Sequence, residues 1–367
     1  MSKNRYNIIY SILFMVFISI GLIFLSKNSD NSLLNNQKYT NKQISVNGFY
    51  FDTYITISIY DCAENFVDTD KKSKDLNTIL QGCLDICEKY ELIFSRTNEN
   101  SQLYMLNNSK SDLSTEYIPV SIELSDIIIK SLDYTDVFND KFSIFSGDLC
   151  DLWDYNLAII PTAKEINEHL TKLKATDFVI INNDLTCSIL STSPSITLGA
   201  TAKGYIADKI GEYLKNNGIY EAIINLGGNV LVLGDKYDNE GYVIGIKKPF
   251  SNDNEPFIRC KISEMSVVTS GIYERYFEID KKIYHHIIDC ETGYPSDNGI
   301  LSVTILSKES MIADCYSTGC LLYPIDFILS LVNGKGYEDV ECIIIDKDYN
   351  VILSDGLEIK NDYIIFK

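Results

Sequence analysis

Between Thr269 and Thr318 the apolar residues alternate as they do in strands, yet polar and ionisable side chains crowd the same segments. Thr269-Ser270-Gly271 is followed by Tyr273, Glu274 and Arg275, and Tyr284-His285-His286-Ile287-Ile288-Asp289 runs into Thr292-Gly293-Tyr294-Pro295. Asp314, Ser317 and Thr318 close the stretch. Regular elements rarely carry so many such groups unless they build a site, and the stretch reads as an active site. The pattern from Tyr276 to Ile288 fits two short strands joined at Asp280-Lys281-Lys282. A period of two places Tyr284, His286 and Ile288 on one face and Ile283, His285 and Ile287 on the other. His285 reads as an ordinary core histidine, and His286, followed by Asp289 and the Thr-Gly-Tyr-Pro turn, as the functional one.

The spacing predicts a helix over Ile312–Leu322, on which Asp314, Ser317 and Thr318 stand at i, i+3 and i+4 and share one face. One carboxylate with hydroxyls is an all-oxygen set suited to a hard cation. Mg2+ takes one or two carboxylates from a protein and completes its shell with carbonyls, water and substrate phosphates. Taken alone, Asp314 reads as a group that merely complements a helix dipole. A second signal is Ile196-Thr197-Leu198-Gly199-Ala200-Thr201-Ala202-Lys203-Gly204-Tyr205. Ala202, Ile206, Ile210, Tyr213 and Leu214 mark an amphipathic helix that Gly218 closes. Gly199 and Ala200 let a backbone come close where free N–H groups attract phosphate, and Lys203 adds a charge. The spacing is neither a Walker loop nor a dinucleotide fingerprint.

Ile8–Leu25 is a run of 18 residues without charge, preceded by Lys3 and Arg5. At about 1.5 Å per residue it reaches about 27 Å, close to a bilayer core. Residues 1–27 are expected to be a membrane anchor or signal segment with the short N-terminus in the cytoplasm. Residues 28–44, rich in Asn, Ser and Lys, read as a tether, and 45–367 as the catalytic domain. The formal charge is −19, and because the first 27 residues hold three cations and no acid, the rest carries −22. That excludes nucleic acid as a partner and obliges an anionic substrate to bring a metal or find local cations. The ten cysteines are scattered with no CxxC pair, and most read as small apolar core residues.

Val46–Tyr60 alternates as a strand; Leu76 to Tyr90 follows helical spacing; Phe94–Ser101 is a polar loop. A helix is expected over Leu124–Phe138, capped by Ser121 or Ser125. Trp153, the one tryptophan, belongs either to a pocket wall or to a satellite core cluster. Glu221–Leu226 reads as a strand turning at Gly227-Gly228 into Val230–Leu233, with further strands at Tyr242–Lys247, Ile258–Ile262 and Val267–Thr269. Cys342–Asp346 and Val351–Ser354 form a terminal hairpin. Strand runs with a few helices and no regular βαβ repeat indicate an α+β fold.

The ordered set FSRTNENS, LGATAKGY, NLGGN, TSGIYERYF, YHHIIDCETGYP and ADCYSTG resembles the ApbE family of FAD:protein FMN transferases, from about Gly48 to the C-terminal hairpin. The resemblance implies a T-fold-related α+β domain of mixed and antiparallel sheets with flanking helices, behind a single transmembrane helix. It implies FAD held with Mg2+ at the diphosphate and FMN passed to a threonine hydroxyl of a partner, with AMP leaving. Implied acceptors are flavin carriers of Rnf- or Nqr-type complexes and exported flavinylated reductases, which suits a domain on the outer side of the cell membrane. By resemblance, Asp314, Thr318 and the carbonyl of Ala200 match metal positions, with Ser317 where some members place a second aspartate. Phe51, Thr97, Ser143, Ile144, Lys203 and Ile288 match flavin- or nucleotide-contacting positions, and His286 the histidine of the H-I-I-D-P motif. The family usually carries Asp at Thr197, Pro at Cys290, often an aromatic at Thr97 and Asp after Phe142, where Ser143 stands. A non-catalytic flavin binder and an FAD pyrophosphatase are the competing classes; they differ from a transferase in whether AMP is released and what accepts the FMN.

Overall fold

The computed structural model describes residues 42–61, 75–109, 116–173, 178–182, 184, 186–235, 241–253, 255–334, 336 and 339–367. The expected anchor, and the tether apart from its last three residues, lie outside the described residues. No helix among the described residues is long and apolar enough to cross a membrane.

An eight-stranded antiparallel sheet organises the domain in the order β1 (Lys42–Tyr50), β2 (Thr53–Asp61), β6 (Ala222–Leu226), β7 (Asn229–Leu233), β10 (Met265–Gly271), β13 (Ile300–Ser307), β14 (Val340–Asp346) and β15 (Val351–Leu353). The single strand expected over Val46–Tyr60 is instead a hairpin, β1–β2, because Phe51 and Asp52 both take left-handed backbone at φ 54° and 58°. A two-residue turn with two positive φ angles matches the twist of the strands it joins, and here it is made without glycine. Its pairing starts at Lys42, so residues 42–44 belong to the sheet rather than to the tether. The Gly227-Gly228 turn is as the sequence suggests, with φ 64° and 95°; a Cβ on Gly227 would meet Thr53 Oγ1 at 2.2 Å.

Which face each strand buries follows from what covers it. In β2, Ile55, Ile57 and Ile59 point to one core, shared with Ala222, Ile224 and Leu226 of β6, and the intervening residues are more open. The central strands are covered on both sides. Val267, Leu306, Ile343 and Ile345 face a smaller sheet of β8 (Tyr242–Ile246), β9 (Ile258–Ile262), β16 (Leu357–Lys360) and β17 (Tyr363–Phe366). Val268, Val303, Ile305 and Ile344 face the helical side. Every residue of β13 is buried, so Ile300–Ser307 lacks the one-sided alternation by which a half-buried strand is recognised. The terminal hairpin likewise continues into β16 and β17, whose single parallel pair with β9 makes that sheet mixed.

On the helical side α1 (Leu76–Phe94) buries Ile79, Leu80, Cys83, Cys87 and Tyr90 against the first core. It is followed by α2 (Gln102–Asn108) and by α3 (Ile122–Asp136), where Ser121 Oγ accepts from Leu124 N at 3.3 Å. Ser121 is thus the cap; Ser125 is buried and accepts from Cys187 N at 2.9 Å. Cys187 begins β5 (Cys187–Leu190), the middle strand between β3 (Tyr117–Pro119) and β4 (Val179–Ile181). The helices α4 (Gly147–Asp151) and α5 (Ala163–Leu173) precede that sheet's last two strands. Trp153 belongs to a satellite core with Leu149, Ile166, Phe277 and Ile288, and its Nε1 donates to Gly293 O at 3.2 Å.

Two helices carry the rest. α6 (Ala202–Asn216) and α7 (Ser310–Cys320) pack so closely that a Cβ on Gly204 would lie 2.3 Å from Ser310 O and 2.6 Å from Met311 Cα. α8 (Ile325–Val332) follows and packs on the core beneath α7. Nine cysteines among the described residues are free, Cys83 and Cys87 included; burial pushes the thiols of Cys83, Cys87, Cys260, Cys290 and Cys342 up to about 12. They pack as small apolar residues, as their scatter in the sequence suggests.

Candidate active site

The site forms where the start of α6, the middle of α7 and the end of β10 meet. Asp314 is 2% exposed. Its Oδ2 accepts from Gly204 N, in the first turn of α6, at 2.9 Å, while Oδ1 lies 3.7 Å from Lys203 Nζ. Lys203 Nζ also donates to Gly199 O at 3.2 Å. Asp314 therefore does complement a helix N-terminus, but that of α6 rather than its own, and only one of its oxygens is used.

Ser317 Oγ, one turn on, donates to Asp314 O at 2.9 Å, and Thr318 Oγ1 is 3.4 Å from the same carbonyl. Ser270 Oγ on β10 joins them, 2.8 Å from Ser317 Oγ and 3.1 Å from Thr318 Oγ1. Sequence reasoning placed Ser270 in the stretch without a role; its signal is a hydroxyl at a strand end, too common to stand out. Among the described residues no three His, Cys, Asp or Glu side chains gather as a metal cluster. The donors are one carboxylate and neutral hydroxyls, beside a lysine. Such a set fits Mg2+ bound jointly with substrate phosphates and does not fit a zinc-type site.

The hairpin β11 (Tyr276–Ile279) and β12 (Lys282–His285) turns at Asp280-Lys281, both at positive φ. His285 is 2% exposed, with Nε2 2.8 Å from Ser296 O, a satisfied core histidine. His286, just past β12, is half-buried, with Nδ1 3.3 Å from Arg275 O. A carbonyl only accepts, so Nδ1 carries the hydrogen and Nε2 holds the lone pair. Burial first, then His285 and the charges of Arg275 and Lys203, lower its pKa from 6.5 to about 4. Glu274 retains solvent contact, yet the surrounding protein raises its carboxyl pKa; Asp314 adds to the rise, and Lys203 and Arg275 oppose it. His286 and Glu274 thus both sense Lys203, which ties the hairpin to the oxygen set.

The segment before α6 is strapped to the loop before α4. Thr197 N donates to Ile144 O at 2.7 Å, Gly147 N to Ser195 O at 2.9 Å, and the Asn107 amide pairs with both backbone groups of Ile196. Ser143 and Ile144 are thereby held against Thr197. Ile144 and Ile288 are 2% and 6% exposed, and their side chains serve the cores. Cys290 N donates to Lys141 O at 2.9 Å, a bond that a proline here would lack the hydrogen to make. Phe51, whose N donates to Glu91 Oε1 at 3.0 Å, stands on the β1–β2 turn. Thr97 is exposed beyond α1, with Oγ1 3.3 Å from Ser95 Oγ. Both bond their own neighbours rather than the Asp314 set. The structure thus gathers Lys203, Asp314, Ser317 and Thr318 directly, with His286 at the rim.

The ApbE family profile matches residues 51–344. The FAD:protein FMN transferase of Klebsiella pneumoniae (strain 342) is 33% identical over 273 residues, spanning 73% of this chain and 82% of that protein. That of Treponema pallidum (strain Nichols) is 27% identical over 309 residues, spanning 79% and 83%. Among solved structures, the ApbE protein of Thermotoga maritima MSB8 superposes with a TM-score of 0.72 at 25% identity, over 86% of this chain and 97% of that one. The flavin transferase ApbE of Vibrio cholerae gives 0.71 at 22% identity, over 86% and 98%, and so shares the fold. With a profile covering most of the described domain and a relative one-third identical across most of both chains, this chain belongs to the ApbE family, a family of transferases.

Proposed function

We propose that the protein transfers FMN from FAD to a threonine hydroxyl of an exported acceptor protein, releasing AMP, in a Mg2+-dependent reaction. The observation that carries this is the oxygen set of Asp314, Ser317 and Thr318 beside Lys203 at the start of α6. Asp314, Ser317, Thr318 and the carbonyl of Ala200 would hold the cation. When bound, Mg2+ supplies Lewis-acid polarisation of the diphosphate. Lys203, at the start of α6, attracts the phosphates. Phe51, Thr97, Ser143, Ile144 and Ile288 are assigned to the flavin and nucleotide.

His286 Nε2 accepts the hydrogen of the incoming hydroxyl, orienting its oxygen towards the FMN phosphorus; the new P–O bond forms as the bond to AMP breaks. Being neutral far below pH 7, His286 keeps that lone pair free at working pH. The acceptor is assigned to the flavin carriers of Rnf- or Nqr-type complexes or to exported flavinylated reductases, with residues 1–27 anchoring the enzyme in the cell membrane and the domain outside. The test is incubation with FAD, Mg2+ and an exported flavin-carrier domain, followed by denaturing electrophoresis. A fluorescent acceptor band that Asp314→Ala abolishes supports the reading. AMP and free FMN without a band would replace it with hydrolysis, and no AMP at all with flavin binding alone.

A further inference from the structure

Asp314 caps α6, and the converse bond also exists. Asp208, on the second turn of α6, accepts from Ser310 N at 2.8 Å through Oδ1 and from Met311 N at 2.9 Å through Oδ2. These are the first two N–H groups of α7, which have no partner within their own helix. Each helix thus supplies the carboxylate that holds the other's start, across the contact that Gly204 permits. The same turn of α7 is fixed by Ser310 Oγ, which donates to Asn229 Oδ1 at 2.8 Å and accepts from Ser266 Oγ at 2.8 Å. Asn229 Nδ2 is buried without a partner among the described residues, and as a donor it cannot take over the two N–H groups that Asp208 accepts.

We infer that Asp208 is a positioning residue for the transfer site: by holding the first turn of α7 it fixes where that helix presents Asp314 to the metal and FAD. The inference rests on the flavin-transfer reading for its substrate and on the two helices alone for its geometry. Asp314 lies four residues beyond Ser310, one helical turn of about 5.4 Å, so a slip at the start of α7 is delivered undiminished to the carboxylate. No other side chain among the described residues is bonded to Met311 N.

Asp208 borders a cleft of about 250 Å3. Facing it are Lys130 and Tyr134 of α3, Tyr205, Lys209 and Glu212 of α6 itself, and Glu309 just before α7. Burial raises the Asp208 carboxyl pKa from 3.8 to about 6; the two N–H donors oppose the rise, as does Lys130, and Glu309 adds to it. Below about pH 6 the group takes up a proton, and one of its two oxygens no longer accepts freely. The hold on α7 therefore weakens as the pH falls through that value.

The experiment measures FAD affinity by flavin fluorescence over a Mg2+ titration, from pH 5 to 8, for the full chain and for Asp208→Ala, Asp208→Asn and Glu212→Gln. Asp208→Ala is expected to raise the Mg2+ needed for half-saturation about 10- to 100-fold, the range for residues that orient a metal's ligands. Asp208→Asn keeps one acceptor oxygen and turns an NH2 towards the other N–H donor, so it copies the protonated carboxyl: it is expected to need more Mg2+ than wild type at pH 8 and to flatten the fall below pH 6. Glu212→Gln removes a charge from the same cleft without touching α7 and is expected to change neither quantity. A wild-type pH profile in Asp208→Asn, or an Asp208→Ala variant that melts lower yet binds Mg2+ and FAD normally, would overturn the inference and leave Asp208 a structural cap. Because binding is read, a wild-type protein that binds FAD with Mg2+ but moves no FMN would sink the transfer reading without touching this one.

Discussion

At the scale of single residues, Asp314 and His286 do separable work. Asp314 gives Oδ2 to Gly204 N and turns Oδ1 towards Lys203, where the proposed cation would be held, so two substitutions pull the roles apart. Asp314→Asn keeps an acceptor for Gly204 N and loses the charge: melting should hold within a few degrees while Mg2+-dependent transfer disappears. Asp314→Ala loses both and should in addition cost about 1 kcal/mol, the usual worth of a helix cap, in denaturant unfolding. Equal transfer by Asp314→Asn and wild type would remove the cation from the scheme. His286 has its folded pKa lowered from 6.5 to about 4, so the folded state resists protonation more than the unfolded chain does. Its stabilising contribution is present above about pH 6.5 and is lost as the pH falls towards 4. Unfolding free energies at pH 7.5 and 5 should therefore differ less in His286→Gln than in wild type. Transfer at pH 7.5 should drop about 100- to 10,000-fold in the same variant if its lone pair serves the incoming hydroxyl. A variant with wild-type rates would assign that proton elsewhere, with Glu274, whose carboxyl pKa is raised by its surroundings, the next acid to try.

At the scale of elements, the antiparallel pair α6–α7 is what brings two distant sequence motifs into one site, and Gly204 is its limiting contact. A Cβ there meets backbone on both sides, Ser310 O at 2.3 Å and Met311 Cα at 2.6 Å, neither able to rotate away. Gly204→Ala should force the helices apart, costing about 1–3 kcal/mol as an overpacked core does, and should weaken Mg2+-dependent FAD binding by drawing Gly204 N from Asp314. Normal unfolding and binding in that variant would mean that the pair tolerates separation and that Asp314 is placed by β10 instead. The sequence made this geometry half visible. Helical spacing gave Asp314, Ser317 and Thr318 a common face, and Gly218 marked the end of α6. Nothing in spacing, however, tells that Gly204 lies against Ser310 or that Asp208 and Asp314 cap each other's helices, because those are contacts between segments about a hundred residues apart. Phe51-Asp52 hid the first hairpin for a different reason: a turn of two positive φ angles was made from residues that do not advertise it. β13 was illegible because burial on both faces erases alternation. His285 and His286, by contrast, fall on opposite faces by period two, and the structure buries the first while the second keeps some exposure.

At the scale of the whole molecule, the binding of an anion by a strongly acidic chain has to be explained. The formal charge is −19, and FAD brings a diphosphate. Near the oxygen set the structure offers Lys203 and, at the hairpin, Arg275, while Asp314 and Glu274 oppose them. Local cations and acids thus nearly cancel, so the protein alone gives the diphosphate little net attraction, and on the proposed reading a divalent cation held by Asp314 would tip the balance. A ligand that binds only the folded state at a hundred times its Kd adds about 2.7 kcal/mol, which for a domain of this size raises the melting temperature by about 4 °C. FAD alone should therefore shift melting hardly at all, Mg2+ alone little, and the two together by that amount; in Asp314→Asn the joint increment should vanish. Raising the salt should help FAD alone, by screening the overall negative field, while leaving the joint effect largely intact because the cation is held at short range. A full shift from FAD without Mg2+ would mean that Lys203, Arg275 and the first turn of α6 suffice for the diphosphate. Asp314 would then be a helix cap beside a flavin site, and the metal would have to be sought at the chemical step rather than in binding.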